Sequence, residues 1–177
     1  MIWVFVVVII LLIPLAMQFT EEVQWNEAAA YSLIFLALGG TYEMWLWLRS
    51  RGKLYRLAFG FALGGLLLLG WVSGAVGIIG SENNSVNLMY WAVPAAMFIG
   101  SLTSRFKSAG MVHTMFVTAL VQFLVPLVAL ISSPKVSWGD AGVIGVFILN
   151  AFFVAIFVFS GFLFRQTGKV EIGTVGE

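Results

Sequence analysis

Long apolar runs set apart by short charged connectors constrain this chain more than any other feature. A membrane-spanning helix needs roughly 20 consecutive apolar residues, within about 17–25. Six segments meet or approach that length: Ile2–Phe19, Ala28–Leu48, Leu57–Ile79, Val86–Leu102, Met111–Ile131 and Ala141–Phe164. Pro14 lies inside the first and Pro126 inside the fifth. An ordinary soluble domain carries about 25% charged residues. This one carries 10%, against 61% hydrophobic residues, so the bilayer must serve as solvent for most of its surface. Short connectors imply antiparallel neighbours. The expected fold is therefore all-α, an integral membrane bundle of six transmembrane helices over residues 1–164, with residues 165–177 as a loose, polar cytoplasmic tail. The segment after Met1, IWVFVVVIILLIPLAM, has no basic n-region and reads as a retained span rather than a cleaved signal.

Charge placement fixes the threading. Arg49, Arg51, Lys53 and Arg56 fall in the second connector, Arg105 and Lys107 in the fourth, and Arg165 and Lys169 in the tail. If six helices alternate, all eight share one side, and only Lys135 lies opposite. The other side collects Glu21, Glu22, Glu27, Glu82 and Asp140. Basic connectors stay cytoplasmic, which predicts a multi-pass protein with both termini inside. Aromatic rings favour headgroup depth. Trp25, Tyr90, Trp91 and Trp138 suit the outer boundary, and Trp3, Trp45, Trp47 and Tyr55 the inner one. Trp71 is the exception, lying well inside the third segment.

Several function classes are excluded. The chain has no cysteine, hence no disulfide, thiolate ligand or cysteine nucleophile, and His113 is its single histidine. A formal net charge of +1 supplies no field for nucleic acid. No HExxH, GxSxG or phosphate-cradling glycine loop is present. Ser101 and Ser104 share a side with His113 but sit in no catalytic motif. No catalytic residue and no cofactor are therefore expected.

The densest small and polar runs fall together in Trp71–Tyr90, WVSGAVGIIGSENNSVNLMY. Upstream, Gly60/Gly64 and Gly70/Gly74 are spaced four apart, a pattern that lets helix backbones approach closely. The expectation is a central packing helix, ended by Gly80 as a C-terminal cap. Asn84 or Ser85 would cap the next helix. Glu82, Asn83, Asn84 and Asn87 also offer oxygens of the kind hard cations prefer. The competing reading makes them caps and solvated loop residues. Taken with IPLAMQFTEEVQW at Ile13–Trp25, the run AVGIIGSENNSVNLMY resembles a family of small, uncharacterised bacterial multi-span membrane proteins. The resemblance implies a bacterial inner membrane and no particular activity. Relatives carry an Asp shortly after the tryptophan, where this chain has Glu27 followed by Ala28, Ala29 and Ala30.

Polar residues inside spans are costly and default to functional candidates. Glu43 and His113 each lie near the inner end of a predicted helix, at depths where they could meet. A carboxylate beside an imidazole can carry protons or hold a cation. Alternatively, Glu43 pairs with Arg56 or Arg105 and His113 sits among headgroups. Gln122 and Asn150 both fall near mid-membrane, where amides bond across helices or line a polar path. The reading that follows is a non-enzymatic structural or accessory membrane protein. Its partners would be membrane lipids and a larger membrane complex or a homo-oligomer. The alternative is a small transporter or channel with Glu43, His113, Gln122 and Asn150 on its path.

Overall fold

Glycine punctuates the described chain more sharply than hydropathy does. The computed structural model describes residue 42 and residues 44–81, 83–133 and 136–173. Two units divide the chain, Met1–Arg51 and Gly52–Glu177. In the first, residues 44–49 are helical. There Arg49 lies over the Trp45 ring at 4.1 Å and Arg51 over Trp47 at 4.6 Å. Such cation–π pairs suit the headgroup depth expected for both tryptophans. The first predicted span and most of the second lie outside the described residues.

Every described element of the second unit is a helix, and its described residues contain no strand. Its elements are α1 (Lys53–Ala75), a 3₁₀ helix (Ser85–Trp91), α2 (Ala92–Thr103), α3 (Ser108–Ser132) and α4 (Gly142–Gly173). Four stretches are long and apolar enough to cross a membrane: α1, the 3₁₀ helix joined to α2, α3, and α4 as far as Gly168. The helices are adjacent in the order α1, α4, α3, α2. Contacts show that these neighbours run antiparallel. On α1 and α4, Tyr55 meets Phe164, Phe61 meets Phe159, and Gly65 meets Ile156.

The boundaries differ from expectation for identifiable reasons. α1 ends at Ala75 rather than Ile79. Gly77 takes φ 77°, and its N–H, like that of Val76, returns to the Val72 carbonyl. Gly77, not Gly80, is thus the left-handed terminator. Ile78 and Ile79 extend the apolar run, yet they belong to a buried loop. Trp71 consequently lies about one turn from the helix end and is 76% exposed. The fourth expected segment, Val86–Leu102, is the shortest of the six. Its 3₁₀ half rises about 2 Å per residue, so 19 residues reach about 32 Å, enough for a hydrocarbon core of about 30 Å. α4 continues as helix through Gly173, beyond the Phe164 boundary expected for the start of the loose tail.

Among the described residues, the glycine stripe meets no packing partner. Gly60, Gly64, Gly70 and Gly74 face open space. With Leu67 and Trp71, 67% and 76% exposed, Gly60, Gly64 and Gly74 form one exposed face of α1. The close approach is made by Gly65 instead, where a Cβ would come within 2.7 Å of the Ile156 side chain. Ser160 lies nearby on α4 and donates to the Ala58 carbonyl at 2.8 Å, joining the two helices.

Three basic regions share one end of the second unit. Tyr55, between Lys53 and Arg56, donates its hydroxyl to the Phe106 carbonyl at 2.7 Å. Phe106 lies between Arg105 and Lys107. The Tyr55 ring packs edge-on against Phe164, the neighbour of Arg165. At the opposite end, the Gly80 loop meets the Ser137–Gly139 segment, next to Asp140.

Candidate functional site

Two amide-centred polar clusters sit in the interior, apart from single buried hydroxyls such as Thr118 and Ser160. The first begins in the 3₁₀ helix, where three residues per turn eclipse every third side chain. Asn84, Asn87, Tyr90 and Val93 therefore share a face, and the last three are buried. Asn87 uses its whole amide on the loop beneath it. Its Oδ1 accepts from the backbone N–H groups of Ile78 and Ile79 at 3.1 and 2.9 Å. Its Nδ2 donates to the carbonyls of Ile79 and Ser81 at 3.2 and 2.8 Å. Asn84 does the same on a smaller scale. Its Oδ1 caps the Val86 N–H at 3.1 Å, and its Nδ2 donates to the Ile79 carbonyl at 3.0 Å. Loop backbone that is buried must find partners, and these two amides supply them.

This geometry bears directly on cation binding. The Asn84 and Asn87 side-chain oxygens already accept backbone N–H bonds, and a hard cation would have to displace them. Asn83 is exposed and, with Asp140, borders a shallow surface groove of about 490 Å³ between the two loops. Glu82 lies outside the described residues. Among those described, no group of three or more acidic or histidine side chains could hold a metal.

The second cluster lies where the 3₁₀ helix, α3 and α4 meet. Gln122 on α3 donates Nε2 to Asn150 Oδ1 at 2.7 Å. Asn150 donates Nδ2 to the Tyr90 hydroxyl at 2.8 Å and to the Val146 carbonyl at 2.8 Å. The Tyr90 hydroxyl also reaches Asn150 Oδ1 at 3.1 Å. All three side chains are buried, Gln122 completely. Asn150 is thus the hub that ties α3 and α4 to the 3₁₀ helix. One atom is left over, because Gln122 Oε1 is buried without a donor. Pro126, one turn further along α3, has no N–H to give the Gln122 carbonyl. Two acceptors on one residue are therefore deprived of their ordinary donors near the middle of the helix.

His113 stands apart from this cluster. It is exposed near the basic end of α3, with Nδ1 at 3.0 Å from the Ala109 carbonyl. A carbonyl only accepts, so Nδ1 carries the proton. Nine residues separate it from Gln122, about 13 Å along the helix, and its expected companion Glu43 lies outside the described residues. Gln122 and Asn150 are brought together, and His113 does not join them. Tyr90 is the participant that sequence reasoning missed. It reads as a boundary aromatic, and only the three-residue spacing from Asn87 signals the buried face.

Similarity to known proteins supplies no further guide: no family model matches the chain, and no curated protein or solved structure matches it.

Proposed function

We propose that this is a multi-pass protein of the bacterial inner membrane, with its basic connectors and both termini cytoplasmic. Its role is structural or accessory rather than enzymatic. One observation carries this reading: the buried polar side chains are spent on holding the protein together. Asn87 commits all its hydrogen-bonding capacity to its own loop, and Asn150 commits its amide to Gln122, Tyr90 and Val146. Interhelical amide bonds of this kind act as glue where no hydrophobic drive exists between helices. The broad apolar exterior, with Ile131 and Ile144 more than 70% exposed, suits contact with lipid or with partner helices. The test is native mass spectrometry of the protein extracted gently at its natural abundance. Co-purification with another membrane protein at fixed stoichiometry is expected. A lone chain carrying a small molecule other than a membrane lipid would overturn the accessory reading.

A second reading, a small transporter or channel, draws support from the acceptors on Gln122. A polar guest or translocating ion finds oxygen there near the middle of α3. Reconstituted flux that collapses in Gln122→Leu and Glu43→Gln while the fold persists would establish it. Flux unchanged in both variants would remove it.

A further inference from the structure

A groove of about 480 Å³ runs along the crease between α2 and α3 at the basic end. It exists because small residues bring the two helices close beside it. A Cβ on Gly100 would come within 2.6 Å of the Thr114 side chain, and one on Gly110 within 2.4 Å of Ser104. The lining changes character along its length. Ala96, Ile99 and Val117 form the deeper end, with Gly100 and Thr114 next. Thr103, Ser104, Gly110 and His113 form the shallow end. Gly110 to Val117 spans about 10 Å along the helix axis. That is well within the roughly 15 Å of hydrocarbon in one leaflet.

The shallow end opens onto positive charge. Exposed Arg105 and Lys107 lie in the connector immediately beyond Ser104. Lys107 is also the N-cap of α3, a helix of 25 residues with no acidic residue in its first turn and no side-chain cap. The positive end of that helix dipole adds to the two cations. His113 Nδ1 is held by the Ala109 carbonyl, which leaves Nε2 outside that bond. Hydroxyls in the groove do not compete for a ligand's phosphate. Thr103, Ser104 and Thr114 each donate to a carbonyl of their own helix.

We infer that this groove is a binding site for one anionic phospholipid of the leaflet at the basic end. Its phosphate sits against Arg105, Lys107 and the start of α3, and the upper part of one acyl chain lies in the α2–α3 crease. The order of chemistry along the groove, apolar then hydroxyl and imidazole then cationic, is the order found along such a lipid. Only an amphiphile held at the membrane surface satisfies both ends at once. Anionic surfaces attract juxtamembrane Lys and Arg by an amount that makes a two-cation site selective by about tenfold or more.

The experiment is native mass spectrometry of the full-length protein in detergent, with phosphatidylglycerol or phosphatidylcholine of identical acyl chains added in turn. One phosphatidylglycerol per chain should be retained, at least about tenfold in preference to phosphatidylcholine. Arg105→Asn combined with Lys107→Gln should bring phosphatidylglycerol down to the phosphatidylcholine level. Asn suits the Arg105 backbone, which has φ 51°, because it tolerates the left-handed region. Ala96→Phe should lower retention of both lipids by filling the deep end. Thr103→Phe, at an exposed position, should lower retention of both lipids by blocking the shallow end, and serves should the first variant lose its helical circular dichroism. Lys53→Gln with Arg56→Gln, charges at the same end that flank Tyr55 rather than the α2–α3 connector, should lower the preference less than the Arg105/Lys107 pair does. Equal retention of the two lipids by the unmodified protein would overturn the proposal. So would a preference that survives Arg105→Asn/Lys107→Gln, or one that falls equally in the Lys53/Arg56 variant. Release of phosphatidylglycerol by millimolar inorganic phosphate would reassign the site to a free anion.

Discussion

Replacing Asn150 with Leu is the most informative single perturbation of this bundle. The two side chains are similar in size, so packing changes little and the hydrogen bonds change entirely. Loss of the Asn150 amide strands the Gln122 Nε2 group and the Tyr90 hydroxyl, both buried. The Val146 carbonyl is a helix acceptor, and losing its extra bond costs little. A stranded buried group costs about 1–3 kcal/mol. Measured interhelical couplings in membranes average nearer 0.6 kcal/mol and reach about 2, because a chain unfolded in the membrane also finds partners. Two stranded groups therefore place the destabilisation of Asn150→Leu at about 1–3 kcal/mol.

The same accounting makes Gln122→Leu much milder. That change removes one bond, but it also removes Oε1, which is already buried without a donor. The two effects offset, and the variant should lie within about 1 kcal/mol of the unmodified protein. Combining Tyr90→Phe, Gln122→Leu and Asn150→Leu leaves nothing stranded. The triple variant should be more stable than Asn150→Leu alone, since replacing both partners of a buried bond by apolar groups is nearly neutral. Equilibrium unfolding in mixed micelles, followed by far-ultraviolet circular dichroism, measures all three. Additive losses, with the triple variant least stable, would refute the description of Asn150 as a hub. So would a Gln122→Leu loss as large as that of Asn150→Leu.

Four further substitutions probe the rest of the frame. Gly65→Ala drives a methyl within 2.7 Å of Ile156 and should destabilise by about 1–3 kcal/mol, whereas Gly64→Ala meets open space and should stabilise α1 by about 0.5–1 kcal/mol; thermal unfolding in micelles separates the pair. Asn87→Ala removes four bonds from the Ile78–Ser81 loop and should cost about 2–4 kcal/mol, with faster hydrogen exchange at the Ile78 and Ile79 amides as its local signature. Tyr55→Phe deletes the bond to the Phe106 carbonyl and should cost about 1 kcal/mol, with trypsin cleaving more readily after Arg105 and Lys107.

Solvent class was legible from composition, because a chain with 10% charged residues has no other way to cover its surface. The four spans among the described residues were legible to within a few residues, save the far end of α4, which runs on to Gly173. Their ends were less so, because hydropathy cannot tell an apolar helix from an apolar loop. Ile78 and Ile79 prolong the hydrophobic run of α1, yet they sit in a turn sealed by Asn87. Periodicity offered no correction, since apolar residues occupy both buried and lipid-facing sides of each helix. Glycine spacing did not point to the close approach found among the described residues. Gly60/Gly64 and Gly70/Gly74 carry the four-residue pattern and face open space, while Gly65, with no small residue four positions away, makes the contact. Gln122 and Asn150 could be placed at similar depth by counting. Tyr90 could not be joined to them without knowing that Ser85–Trp91 winds with three residues per turn.

That winding links the two polar clusters. In an α-helix, Asn87 and Tyr90 would point about 60° apart. They would still share a broad face but no longer lie one directly above the other. In the 3₁₀ helix they eclipse, so Asn87 fastens the loop after α1 while Tyr90, one turn on, fastens Asn150. The stretched helix also supplies the extra length that a 19-residue span needs. The 3₁₀ geometry is poorer in its hydrogen bonds than an α-helix and rarely runs beyond three or four residues. Seven residues in that form require compensation from outside the helix, and the side-chain bonds of Asn84, Asn87 and Tyr90 provide it. Removing Asn87 and Tyr90 together, as Asn87→Ala with Tyr90→Phe, should let the segment relax toward α-helix and shorten the span by about 3–4 Å. Distances between spin labels at the two ends of the 85–103 stretch, measured by electron paramagnetic resonance, would report that contraction. An unchanged distance would mean that backbone sequence alone, and not the buried amides, sets the winding.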